Sequence, residues 1–148
     1  TARGDTRDAL TEYTEIVRLD PHSAPAQLDL ATTLDRLGKN DEALRAYRRY
    51  LELNPAEPRA HELVGWLLLQ KGRPADALVE FRAAQRVAPE RGSAHHGAAV
   101  ALIALDRREE ALRSLDEATR LSPDDAEIWG ATASTAADLG RMADALSA

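Results

Sequence analysis

Apolar and polar positions along the chain recur with two periods at once. Within short stretches, apolar residues fall three and four apart, the spacing of one helix face. Across the chain the whole stretch repeats every 34 residues. Ala9, Ala43, Ala77, Ala111 and Ala145 form one series, and Tyr13, Tyr47, Phe81 and Leu115 another. Pro21, Pro55, Pro89 and Pro123 form a third, and Gly4, Gly38, Gly72, Asp106 and Gly140 a fourth. Series that share one register define a tandem array of small structural units.

Punctuation splits each unit into two helices. Pro25, Pro58 and Pro74 fall in first turns, where a missing N–H is harmless. The residues before Pro21, Pro55, Pro89 and Pro123 are pushed out of the α region, which ends a helix. Gly4, Gly38, Gly72 and Gly140 mark the turn inside the unit, where a left-handed residue closes a helix. Asp106 takes that place once, at some cost in strain. The pattern predicts helices over 6–19, 25–37, 40–53, 58–71, 74–87, 92–105, 108–121, 126–139 and 142–148.

With the proline at position 32, complete units begin at Ala24, Pro58 and Gly92. They span 24–57, 58–91 and 92–125. Residues 1–23 carry the second helix of a partial unit, and 126–148 form another partial one. Positions 4, 7, 8 and 11 share the packed face of the first helix, as in His61, Val64, Gly65 and Leu68. Positions 20, 24 and 27 pack in the second, as in Ala77, Phe81 and Ala84. Trp129, at position 4, is expected to anchor its helix against the preceding unit. Gly97 and Gly130 interrupt predicted helices at about 1 kcal/mol each. The C-terminal end is therefore expected to be the weaker one.

The 148 residues carry a net charge of −6, from 25 acidic and 19 basic side chains. No concentrated basic surface is present to suit nucleic acid, and no apolar run is long enough to cross a bilayer. Without cysteine there is neither disulfide nor thiolate chemistry, which leaves the compartment open. No signal peptide is visible, and a fragment of a longer protein is expected.

The combination resembles the tetratricopeptide repeat, a 34-residue helix–turn–helix with large–small at positions 7–8, Ala at 20, an aromatic at 24, Ala at 27 and Pro at 32. Leu30–Ala31, Val64–Gly65, Ala43/Tyr47/Pro55 and Ala77/Phe81/Ala84/Pro89 carry the resemblance. Ala111/Leu115/Ala118/Pro123 extend it, while Tyr50 departs from the small residue at position 27. The resemblance implies an all-α superhelical solenoid, one array over 1–148, whose inner groove is lined by positions 2, 5, 9 and 12 of each first helix. On this chain the candidate groove is Leu28, Thr32, Asp35, Arg59, Glu62, Trp66, Leu69, His96, Val100 and Ile103. An apolar strip with a tryptophan suggests recognition of a protein, as a bound peptide or helix. Packing of Trp66 on a neighbouring unit is the competing role.

Family members that clamp acidic chaperone C-termini carry Lys at 5 and Asn at 9. Here those positions are Leu28/Thr32, Glu62/Trp66, His96/Val100 and Gly130/Ser134, so that ligand is not expected. The asparagine ladder of sugar-transferase relatives is missing as well. The alternative function is a self-assembly or intramolecular docking module, with homo-oligomers forming through open ends. His22, His61, His95 and His96 lack partners for a metal motif. No HExxH, GxSxG or phosphate loop points to an enzyme or a cofactor. The acidic pairs Asp41–Glu42, Glu109–Glu110 and Asp124–Asp125 suit helix N-termini.

Overall fold

Breaks forced by proline and closed by left-handed turns leave a chain of antiparallel helices. The computed structural model describes residues 2–147. Its helices are α1 (Ala2–Leu19), α2 (Ala24–Arg36), α3 (Asn40–Leu53), α4 (Pro58–Gln70), α5 (Pro74–Val87), α6 (Gly92–Ala104), α7 (Arg108–Leu121) and α8 (Ala126–Ser147), with no strand among the described residues. The strongest contacts join α2 to α3, α4 to α5 and α6 to α7. Each pair then stacks on the next through α3–α4, α5–α6 and α7–α8. The six central helices begin and end within one residue of the positions predicted from sequence.

The turns inside the pairs share one geometry. Gly38 and Gly72 have φ of 71° and 69°, and Asp106 adopts the same region at 59°. In each turn the next N–H reaches back to the helix: Lys39 N to Leu34 O at 2.9 Å, Arg73 N to Leu68 O at 2.9 Å and Arg107 N to Leu102 O at 2.8 Å. This is the Schellman pattern, which satisfies carbonyls the helix end would otherwise leave open.

Small residues in the second helices let large ones wedge between pairs. Ala43, Ala77 and Ala111 are fully buried, as are Tyr47, Phe81 and Leu115 four residues on. A Cβ on Gly97 would collide with the Phe81 ring, and one on Gly65 would lie 2.8 Å from it. Gly97 is therefore not the weak point expected from helix propensity; its missing side chain makes room for that ring. Gly130 has nothing within 4 Å and gains no such compensation.

The joints between pairs are pinned by a bond not anticipated from sequence. The position-4 side chain donates an N–H to the carbonyl of the proline six residues back. Gln27 Nε2 reaches Pro21 O at 3.2 Å, His61 Nε2 reaches Pro55 O at 3.0 Å, His95 Nε2 reaches Pro89 O at 3.0 Å, and Trp129 Nε1 reaches Pro123 O at 2.7 Å. Position 3 is packed in every pair, in Ala26, Ala60, Ala94 and Ile128, whereas at position 4 only Gln27 is buried. Trp129 consequently does not anchor α8 on the preceding pair. It is 53% exposed, and Ile128 beside it is the buried contact.

The second nitrogen separates the two histidines. His61 Nδ1 lies 2.7 Å from Glu80 Oε2, so with Nε2 on a carbonyl both nitrogens donate in the charged ring. That bond to Glu80 holds the His61 pKa above its ordinary value, against burial and Arg86. At His95 the Nδ1 instead accepts from Gln85 Nε2 at 3.3 Å.

The ends differ from the sequence expectation. The helices predicted over 126–139 and 142–148 are one continuous α8, and Gly140 is helical rather than a turn. Met142, Ala143, Ala145 and Leu146 offer too little apolar area to offset the hydrogen bonds a turn would break. Ala148, the end of that predicted helix, lies outside the described residues. At the other end α1 runs through Gly4 instead of starting at Thr6.

Two outcomes are expected from these ends and joints. Every described residue from Gly140 onward is exposed, Leu146 by 88%. Amide hydrogen exchange should therefore show Ala145 and Leu146 opening first and Leu68 and Phe81 last; equal protection would contradict this. His61→Gln keeps a side-chain N–H for Pro55, as Gln27 does for Pro21, but loses the ion pair to Glu80. Because the folded His61 pKa is raised, its stabilisation is complete below the unfolded value near 6.5 and fades as pH rises through the folded value. Urea unfolding should find the variant less stable by about 1 kcal/mol at pH 5.5, with the deficit shrinking by pH 8.5.

Candidate functional site

The first helix of each pair turns a stripe of residues away from its partner helix, and the ten candidate groove residues fall into three sets. Leu28, Thr32 and Asp35 on α2 and Arg59 on α4 line one open cleft of about 440 Å³, together with Asp29, Arg36, Glu57, Leu63, Tyr47 and Tyr50. Glu62, Trp66 and His96 form an interlocked cluster. Leu69, Val100 and Ile103 are half-buried on α4 and α6, which touch.

In the second set, the Trp66 ring meets Phe81 edge-on at 5.1 Å and His96 at 5.9 Å. Such edge contacts between rings are favourable beyond the area they bury. Trp66 thus packs on the neighbouring pair, the competing role weighed for it, and is only partly exposed in the stripe. Glu62 is buried, and its carboxylate receives Arg91 Nε at 2.8 Å, Arg91 Nη2 at 2.9 Å and Ser93 Oγ at 2.9 Å. A two-pronged guanidinium bond is a strong, directional tie. It joins α4 to the start of α6 and leaves the carboxylate committed within the chain.

The cleft is where polar chemistry is open. Tyr47 forms part of its lining and is fully buried, yet its hydroxyl has no hydrogen-bond partner. Burial pushes its pKa up to about 12, helped by Asp35 and opposed by Arg59 and Arg36. Asp29, Asp35, Glu57, Arg36 and Arg59 are in no side-chain ion pair among the described residues; Glu57 only caps the Arg59 N–H at 3.2 Å. Sequence periodicity placed Leu28, Thr32, Asp35 and Arg59 in the stripe but not Tyr47, which it assigned to the packed face of the second helix. The signal that could have found it is the hydroxyl that distinguishes Tyr47 from Phe81 in the same series. Among the described residues no three histidine or acidic side chains converge to hold a metal ion, and no helix is long and apolar enough to span a membrane.

The architecture defines a helical-repeat array, and sequence and structure comparisons place it. The tetratricopeptide repeat profile matches residues 1–67 and 68–135, so the chain belongs to the tetratricopeptide repeat family. The fold is similar to the crystal structure of MamA, with a TM-score of 0.88 at 14% identity, covering 94% of this chain and 81% of that one. MamA from Desulfovibrio magneticus RS-1 aligns with a TM-score of 0.79 at 19% identity, over 97% and 86%. The first tetratricopeptide domain of Spaghetti (RPAP3), solved with the HSP90 peptide SRMEEVD, aligns with a TM-score of 0.76 at 20% identity, over 82% and 96%. At these identities the likeness is one of fold. No curated protein sequence aligns significantly with the chain.

An unpartnered buried hydroxyl is destabilising, so its removal reports on the cleft. Tyr47→Phe should raise the unfolding free energy by about 1 kcal/mol, measured by urea denaturation. A loss of stability would mean that the hydroxyl is satisfied in solution.

Proposed function

We propose that the chain is a protein-interaction scaffold that takes a peptide or helix in the concave groove formed by α2, α4 and α6. The observation that carries this reading is the open cleft lined by Leu28, Thr32, Asp35 and Arg59, continued along the stripe by half-buried Leu69, Val100 and Ile103. Stacked helix pairs curve so that first helices line an extended concave surface. Apolar side chains left on it, with charges around them, suit a partner that buries the strip and reads the rim. The peptide seated on the RPAP3 domain is a precedent within the same fold. That peptide's acidic character is not carried over, because Leu28/Thr32, Glu62/Trp66 and His96/Val100 lack the lysine and asparagine of a carboxylate clamp.

Exposed Leu19 at one end, and Met142 and Leu146 at the other, favour a second reading. In it, end helices contact another copy or further protein; light scattering across a concentration series separates a concentration-dependent assembly from a constant monomer.

The groove reading is tested by affinity capture with Leu69→Glu and Ile103→Glu, each checked for helical content by circular dichroism. Val79→Glu, at an exposed position on α5, is the control. Partners held by the wild type and the control should be lost from both groove variants, by about tenfold or more if one buried contact is removed. Equal capture by all four proteins would overturn the reading.

A further inference from the structure

The first helices of the pairs stand at two spacings. α4 packs directly on α6, but α2 and α4 share no comparable contact. Of the joints between helices of successive pairs, the one from α3 to α4 is the most sparsely packed. Residues one unit apart give the reason. Gly97 lets α6 close on the Phe81 ring, where a Cβ would collide with it. Leu63 is the residue 34 places before Gly97, as Tyr47 is before Phe81. Tyr50 likewise stands where the next two units have Ala84 and Ala118. A leucine in place of the glycine, and a buried tyrosine in place of the alanine, keep α4 from settling over Tyr47. The open cleft lies in that space, with Leu63 and Tyr50 in its lining.

The ties across the two joints also differ in kind. From α4 and α5 to α6, the Phe81 ring sits against Gly65 and Gly97, Trp66 meets Phe81 and His96, and buried Glu62 holds Arg91 and Ser93. From α3 to α4, the side-chain bonds among the described residues are Asn40 Nδ2 to Gln70 Oε1 at 3.1 Å and the ion pair of Lys71 with Asp41, both solvent-exposed. Exposed pairs of this kind contribute little and are screened by salt. The His61 bond to Pro55 joins α4 to its own loop, not to α3.

The Tyr47 hydroxyl lowers the cost of movement at this joint. It is buried without a hydrogen-bond partner. Drawing α4 away would bring it to water and recover the missing bond, which offsets part of the apolar area exposed. Phe81 has no such group, so opening the next joint has no comparable return.

We propose that the α3–α4 joint is the bending point of the array, about which α1–α3 and α4–α8 move as two bodies and widen or narrow the cleft. The motion does not depend on what the groove binds, and its test needs no partner.

The chain has no cysteine, so spin labels can be placed selectively. Arg45, Val79 and Arg113 share one register, 34 residues apart, and are exposed on α3, α5 and α7. Pulsed electron paramagnetic resonance on the frozen whole chain compares two labelled pairs. Arg45→Cys with Val79→Cys spans the α3–α4 joint, and Val79→Cys with Arg113→Cys spans the α5–α6 joint. The first distance distribution should be at least about twice as wide as the second. Tyr47→Phe should narrow it. Tyr47→Phe with Leu63→Gly, which copies the Phe81 joint, should bring it to the width of the second pair. Circular dichroism checks that the double variant folds, and Leu63→Ala takes the place of Leu63→Gly if it does not. Equal widths in the two pairs without further substitution would overturn the proposal. So would an undiminished width in the folded double variant.

Discussion

Close approach of helices around one buried ring is the constraint on which the structure depends. Phe81 can lie between α4 and α6 only because Gly65 and Gly97 present no Cβ to it. With the helices that near, α6 carries Gly or Ala at about half of its positions and is buried on most sides. Trp66 and His96 can then close over the ring from the groove side. A large side chain at Gly97 would push α6 outward and undo the ring cluster as well as the tie from Glu62 to Arg91. The interior and the groove surface are therefore two sides of one packing solution.

The three parts of the groove stripe are set by what each residue can satisfy locally. Where a large ring was available, it folded onto the core. Where a carboxylate met an arginine from the next joint, it became a strut. Where the chain placed threonine, whose hydroxyl is answered by its own helix, space remained. The accessible chemistry therefore collects at the earlier joint, on Asp29, Asp35, Arg36, Glu57 and Arg59, rather than at the tryptophan that composition draws the eye to.

Much of this was legible in the sequence, and the reason is physical. Proline and left-handed turn residues act through the backbone of one or two positions, so helix limits from Ala24 to Leu121 could be read directly. Asp106 was recognised as a glycine substitute for the same reason. Features that depend on partners distant in sequence were not legible. Gly97 looked like a helix weakness because propensity does not see Phe81. Trp129 looked like an anchor because size and register do not reveal that its N–H is taken by Pro123. The turn expected at Gly140 was missing because a left-handed residue closes a helix only where the next segment can pack. Within the candidate site, periodicity placed the stripe; which residues remain open was set by Arg91, Ser93 and Phe81.

The bonds from Gln27, His61, His95 and Trp129 to the proline carbonyls have a consequence for how the superhelix acquires its pitch. Both ends of each bond lie within one short segment, six residues apart. The angle at which a helix leaves its loop can thus be fixed before the neighbouring pair arrives. Three unrelated side chains serve this purpose, so reach and an N–H matter, not residue identity. A joint given a side chain without that proton would become a swivel, while the others kept their setting. The curvature presented to a partner is in that sense adjustable one joint at a time.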